Sequence, residues 1–326
     1  MPKRYSFFSV QKVRLGLRWL YSFKLYFSYD LVGPVGLWIA GGYNGHNDST
    51  TVEFIAVNNS DNQLVPYLPK SISWSPSMFM HNETIMICGG IDNFKTCLKL
   101  QEGSWTEYNS MRVRRDFAAV VSTITATFIF GGSRGKDTYE YLEKNAPEWK
   151  LGKIKIPGGL RSGCSIAISG DEIWLIGGRG RHTGKRILSF DMKNQTFTEL
   201  LIKLKHGREL HQCAFIPETR NILVTGGIEV LDGDYQYLDS TEIIDVKSIN
   251  VTEGPPMKFK RSGHGIGVLN IEGKERIVVY GGRDSQFSLL KSVEFYDAKM
   301  KQWKPTNIEL SEAKDEFGFM TIKSQP

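Results

Sequence analysis

Short apolar runs recur along the chain, and each is closed by a pair of glycines. The runs are Leu37-Trp-Ile-Ala40, Ile85-Met-Ile-Cys88, Phe128-Ile-Phe130, Ile173-Trp-Leu-Ile176, Ile222-Leu-Val224 and Ile277-Val-Val-Tyr280. The doublets are Gly41-Gly42, Gly89-Gly90, Gly131-Gly132, Gly177-Gly178, Gly226-Gly227 and Gly281-Gly282. A short continuous apolar run ended by glycine reads as a strand buried on both faces. Glycine suits the end of such a strand because the chain must turn there under crowding.

Around each run the same pattern repeats. A strand led by a polar turn precedes it, as in Arg161-Ser-Gly-Cys-Ser-Ile-Ala-Ile168. A loop of variable length follows the doublet, and then a third strand. In four repeats that strand carries Glu before an apolar residue: Glu53-Phe54, Glu140-Tyr141, Glu242-Ile243 and Glu294-Phe295. A fourth strand is marked by Trp105, Trp149 or Trp303, or in the other repeats by Leu64, Phe197 and Val251. The doublets are 48, 42, 46, 49 and 55 residues apart. Four short strands at a period near 50 predict a β-propeller of six blades.

The two ends of the array complement each other. No clear first strand precedes the first doublet, whereas Leu310 to Ile322 forms an orphan first strand after the sixth repeat, with Lys314 where other repeats begin with arginine. The C-terminal strand is therefore expected to complete blade 1 and close the ring, removing exposed sheet edges. With the Gly-Gly, Glu-aromatic and Trp marks in register, these residues resemble kelch repeats. The likeness is nearest to the kelch domains of BTB–kelch ubiquitin-ligase adaptors. It implies an all-β, six-bladed propeller over 35–326, preceded by a basic, aromatic extension at 1–34. Six repeats leave no room in the chain for BTB or BACK domains, which argues against a ligase role.

Hydrophobic residues at 40% and aromatics at 12% are ample for a core and exclude a disordered composition. The net charge of +6 needs locating before it is read. Lys3, Arg4, Lys12, Arg14, Arg18 and Lys24 precede the first acidic residue, Asp30, and beyond them 35 basic residues balance 35 acidic ones. A neutral body does not build the field that holds a phosphate backbone, so no nucleic-acid partner is expected. No apolar stretch is long enough to span a membrane. Segment 14–27 is basic and aromatic like a transit peptide, but Lys24 interrupts the apolar core that a secretory signal needs.

Candidate binding residues come from the leading ends of the inner strands, which should ring the channel. Counting thirteen residues back from the doublets aligns Ala118, Cys164 and Cys213, and three earlier stand Arg115, Arg161 and Leu210. Arg261 takes that place in blade 6, Ser73 in blade 2 and Lys314 in blade 1, while Arg208 and His211 flank Leu210. In kelch adaptors rim arginines and serines grip acidic peptides, so the resemblance implies that role for Arg115, Arg161 and Arg261. A guanidinium fork matches carboxylate or phosphate geometry, and several together would make a positive focus. Tyr235, Tyr237 and Phe287, on loops that follow doublets, are candidate aromatic anchors.

The six histidines fall at no metal-ligand spacing, and no cofactor is expected. The expected function is thus a protein-interaction module for an acidic or phosphorylated segment. The alternative is a secreted sugar-active propeller resembling sialic-acid mutarotases, whose arginines would hold a sugar carboxylate. Asn47, Asn58, Asn82, Asn194 and Asn250 each open Asn-x-Ser/Thr, and all five are expected in hairpin turns. Turns also favour asparagine for backbone reasons. Four cysteines without CxxC spacing suit a reducing compartment, and a cytoplasmic location is expected. Cys88 and Cys97 could come within disulfide reach across a hairpin. Cys164 and Cys213, at equivalent places on neighbouring blades, are not expected to bond.

Overall fold

The structure, a computed structural model, describes residues 36–56, 62–91, 95–180 and 183–322, together with a pairing of Arg14–Leu15 with Arg18–Trp19. The rest of the 1–34 extension, Asn58 and His182 lie outside the described residues. Six four-stranded antiparallel sheets follow one another around a central channel. Blade 1 joins both ends of the array: Gly318–Ile322 is its inner strand, followed outward by Gly36–Ala40, Val52–Ala56 and Asn62–Leu64. The closing register runs from Gly318 opposite Ala40 to Ile322 opposite Gly36. The orphan strand thus has the place expected for it. Blades 2 to 6 occupy 77–108, 119–151, 164–199, 212–254 and 265–309 in order.

The core lies between blades. Trp38 and Phe54 of blade 1 pack with Met78, Ile87 and Trp105 of blade 2. Phe128 and Phe130 of blade 3 pack with Leu175 and Phe190 of blade 4. Each sheet therefore has two dry faces, which is why the second strands are apolar without alternation.

In every blade the inner strand leads away from one end of the channel, here the mouth. The second strand returns to it at the diglycine, and the turns joining first to second and third to fourth strands lie at the opposite, back face. At the mouth, each blade bonds to the next. The second glycine of each doublet donates its amide to a carbonyl at the start of the next blade, as from Gly42 to Ile72 (2.7 Å) and from Gly132 to Leu160 (2.9 Å). The first glycine, with positive φ, backs onto the same carbonyl so closely that a Cβ at Gly41 would collide with Ile72 O. This contact, repeated around the ring, explains the diglycines.

A second circuit of bonds closes the mouth. Phe117 N–H donates to Trp74 O, Ser162 to Phe117, Leu210 to Ser162, Gly263 to Leu210, Glu316 to Gly263, and Ser75 to Glu316, all at 2.7–3.0 Å. Trp74, Phe117, Ser162, Leu210, Gly263 and Glu316 all have φ between 51° and 61°. With Ser75 (φ 48°), which donates for blade 2 while Trp74 accepts, these left-handed residues tie the ring by backbone alone.

The segment after the fifth doublet, read as a loop, is a hairpin: Ile228–Leu231 pairs with Asp234–Tyr237 around Asp232-Gly233. The cysteines need a correction as well. Cys88 and Cys97, directly opposite on neighbouring strands, are bridged. Cys164 and Cys213 are bridged too, with Cα atoms 6.1 Å apart, contrary to expectation. Inner strands converge on the axis, so equivalent positions of adjacent blades come closer there than anywhere else in the sheets.

Deleting 318–326 should leave blade 1 with a bare inner edge and break the mouth-side circuit beside it. The expected result is loss of the monomer to aggregation, measured by size-exclusion chromatography and thermal unfolding. A truncated chain that stays monomeric and melts like the full-length one would show that closure is dispensable.

Candidate functional site

The cations expected at the rim separate into two groups. Arg115, Arg208 and Arg261 are fully buried, each in its own blade. The Nε of Arg208 donates to Glu242 at 2.9 Å, and its Nη atoms bond Gly226 O, Ser240 O and Ser240 Oγ. Arg261 repeats the arrangement with Glu294, Gly281 and Ser292. Arg115 does so with Glu140, Gly131 and Thr138. The same glutamates hold the incoming loops, as Lys205 and His206 amides donate to Glu242. Lys314 takes the place in blade 1, buried 3.6 Å from Glu53 and 2.7 Å from Thr51 Oγ1. Desolvation lowers the pKa of all three arginines against the pull of their glutamates. Their donors are saturated, so the expectation that they grip a partner is corrected: they are staples within blades.

Two blades lack the pair altogether. Leu98 of blade 2 and Leu188 of blade 4 stand opposite Ile87 and Leu175, at the register that Glu242 takes opposite Val224. Their cation positions are Ile72 and Leu160, the residues whose carbonyls accept the diglycine amides there. Arg161 is consequently one residue past the staple position, at the rim. A fixed count from the diglycine had aligned it with Arg115. The missing glutamate in blade 4 was the signal that could have corrected the register.

The true rim positions are Ser73, Asp116, Arg161, Glu209, Ser262 and Asp315, whose carbonyls accept the amide that follows each doublet. Ser73 is buried with its hydroxyl unpartnered. Asp116 accepts from Ser133 N–H, and Asp315 accepts from Arg283 Nε at 2.7 Å. Glu209 lies 3.5 Å from Arg179 Nε. Burial raises the pKa of Glu209 and Asp315, with Arg179 and Arg283 respectively pulling the other way. The mouth is therefore of mixed charge, not the positive focus expected.

Within it, Arg161 stands apart. It is half-buried, its guanidinium is 5.4 Å from the centroid of the Phe117 ring, and its Nε is buried with no hydrogen-bond partner. Phe117 in turn stacks on Trp74 at 6.0 Å, and Trp74 is 38% exposed. Blades 2, 3 and 4 thus present an indole, a phenyl ring and a guanidinium in a row. Across the mouth, Tyr237 meets Phe287 edge-on at 5.8 Å, and Phe287 and Tyr235 are 68% and 57% exposed. Tyr235, Tyr237 and Phe287 thus form an exposed aromatic patch spanning blades 5 and 6.

His211 is buried against Gly177, and burial with Arg208 nearby pushes its pKa to about 3, so it stays neutral and does not reach a partner. His264, held by Thr225 Oγ1 at 2.9 Å, is depressed well below the ordinary value by burial first and then by the neighbouring Arg261. Inside the mouth the channel encloses about 340 Å³, lined by apolar groups such as Met78, Val120, Ile266 and Phe319, with Ser165 and Gln212. Among the described residues no cluster of three or more His, Cys, Asp or Glu is disposed to hold a metal ion.

With these repeats, staples and ring closure, the chain is a six-bladed β-propeller whose repeats resemble kelch repeats. Among curated proteins it is similar to a RING finger domain and kelch repeat-containing protein of Dictyostelium discoideum, 24% identical over 214 residues, which cover 64% of this chain and 21% of the relative. It is also similar to alpha-scruin of Limulus polyphemus, 33% identical over 87 residues, 26% of this chain and 9% of that protein. The chain therefore matches only a small part of either relative. The solved structure of YjhT shares the fold at a TM-score of 0.67 and 10% identity, covering 85% of this chain and 99% of that one. No family model matches the chain.

The staples make a prediction that the apolar blades supply. Arg208→Ala strands a buried glutamate and is expected to cost about 3–5 kcal/mol in urea unfolding. Arg208→Leu with Glu242→Leu, which copies blade 4, should recover most of that loss. A double variant as unstable as the single one would show that blade 5 needs the charge itself.

Glu316 generates a second. Its carboxyl is pushed up to about 8, first by desolvation and then by Asp315, against Arg283 and Arg161. Between the ordinary carboxyl range and about 8, the folded protein keeps a proton that the unfolded chain has released. Stability should therefore fall as pH rises through that window and level off above it. Urea midpoints measured from about pH 5 to about pH 8 should show the fall, and Glu316→Gln should flatten part of it. An identical slope in the variant would exclude Glu316 as its source.

Proposed function

We propose that the chain is a protein-interaction module whose partner docks on the mouth face and sets an acidic or phosphorylated group against Arg161. The observation that carries this reading is the guanidinium of Arg161. Among the described residues no carboxylate is in hydrogen-bonding contact with it, Glu209 and Glu316 acting on it only at longer range; it lies beside an aromatic face and keeps a buried Nε unbonded. A charge-assisted bond to that donor would relieve a desolvation cost already incurred by the fold. The stacked Trp74 and Phe117 and the patch of Tyr235, Tyr237 and Phe287 supply apolar area on either side, in the manner of interface anchors.

The backbone supports the same reading. Trp74 and Phe117 hold a left-handed conformation, costing about 1–3 kcal/mol each, that glycine adopts freely, as Gly263 does in the equivalent position. The residues retained there place rings at the mouth. The sugar-active alternative keeps only Arg161 of its expected arginines, since Arg115 and Arg261 are bonded within their blades.

Affinity capture with the intact protein as bait, read by mass spectrometry, identifies the partner, and titration measures the affinity. Arg161→Ala should weaken it at least about tenfold, and Tyr235→Ala with Phe287→Ala by a similar factor. Arg112→Ala, on an exposed arginine paired with Glu148, should leave it unchanged. Full affinity in a folded Arg161→Ala variant would exclude the mouth as the acidic subsite.

A further inference from the structure

We propose that this protein carries N-linked oligosaccharide on Asn82, Asn194 and Asn250, all on the back face, and acquires it in an oxidising compartment in place of the cytoplasmic location expected from the N-terminal segment. Three observations converge. Each asparagine is exposed and opens a sequon with no proline at the middle position: Asn82-Glu-Thr84, Asn194-Gln-Thr196 and Asn250-Val-Thr252. Each lies where strands reverse away from the mouth. Asn82 is in the turn between Ser77–His81 and Thr84–Cys88, Asn194 in the turn before Thr196–Glu199, and Asn250 at the start of Asn250–Gly254. Thr84, Thr196 and Thr252 each sit one turn or strand position on, none of them buried.

The third observation is independent of the asparagines. Both cysteine pairs are bonded, one across a hairpin and one between blades, and no free cysteine remains among the described residues. Bridges of this kind form and persist in oxidising compartments, where N-glycosylation also takes place. Turn chemistry accounts for an asparagine in these places but not for the pairing of four thiols.

The chemistry closes with two co-reactants. A disulfide-carrying oxidoreductase exchanges with each thiol pair: its own disulfide is reduced to two thiols as each protein S–S bond forms, and the protons pass across. A lipid pyrophosphate-linked oligosaccharide donates the sugar. The asparagine Nδ2 bonds the anomeric carbon, the bond from that carbon to the pyrophosphate oxygen breaks, and Nδ2 loses a proton as the lipid pyrophosphate leaves. Asn47 opens another sequon, on the mouth side, whose Ser49 is buried.

The test is peptide mapping of protein isolated from its own source, with thiols alkylated before reduction and glycans released enzymatically. The expected result is a released glycan on Asn82, Asn194 and Asn250, with Cys88 linked to Cys97 and Cys164 to Cys213. Expression through a secretory pathway of Asn82→Gln, Asn194→Gln and Asn250→Gln should each remove one glycan-sized step in gel mobility. Because these are exposed turn positions, the variants should fold, checked by circular dichroism. Alkylated cysteines and bare asparagines throughout the native protein would overturn the proposal and leave the mouth-face reading untouched. Glycan confined to Asn47 would also overturn it.

Discussion

The structure depends on the circuit of backbone hydrogen bonds at the channel mouth. A propeller blade has no way to bury its faces alone, so the ring is stable only if each blade is held at a fixed angle to the next. Here a left-handed residue in five of the blades, and the pair Trp74-Ser75 in blade 2, passes an amide to the blade before and offers a carbonyl to the blade after. Because the bonds are made by main chain, side chains can change around the ring without breaking it. The diglycines form a second, concentric set of inter-blade bonds just outside. Their lack of Cβ lets the next blade's carbonyl come within hydrogen-bonding distance.

Given that frame, the buried staples have a local task. A glutamate on the third strand collects the two amides of the incoming connection and the cation that follows them, fixing how the chain enters the mouth. Burying such a pair yields little net stability, because desolvation offsets most of the attraction. Blades 2 and 4 use Ile72 with Leu98 and Leu160 with Leu188 in the same places, which fits that estimate: the fold accepts either solution. Charge and apolar versions come as matched sets, never mixed among these six blades, since a lone buried glutamate would be costly.

Much of this was legible in the sequence. The diglycines, the period and the orphan C-terminal strand were sufficient for six blades and their closure, because each reflects a packing demand that few residue types satisfy. The rim was harder to read. Arginine serves as staple in blades 3, 5 and 6 and as rim residue in blade 4, and a constant offset from the diglycine cannot tell these apart when turn lengths vary by a residue. The glutamate can, as its absence from blade 4 marks Arg161 as unstapled. The hairpin at Ile228–Tyr237 had its Asp-Gly turn in view. The bridge between Cys164 and Cys213 did not announce itself, since it follows from the convergence of inner strands in three dimensions.

The strand order also decides how the two ends of the propeller differ. First-to-second and third-to-fourth reversals are short because adjacent antiparallel strands need only a tight turn. The connections at the mouth must instead span from second strand to third over the staple, or from one blade to the next. Those longer paths give the mouth room to carry a hairpin, exposed rings and a guanidinium whose Nε is unbonded. Among the described residues, the exposed rings of Trp74, Tyr235 and Phe287 stand at the mouth, and the exposed Asn82, Asn194 and Asn250 stand at the back. The same topology that closes the ring therefore separates a face suited to recognition from one suited to remaining in water.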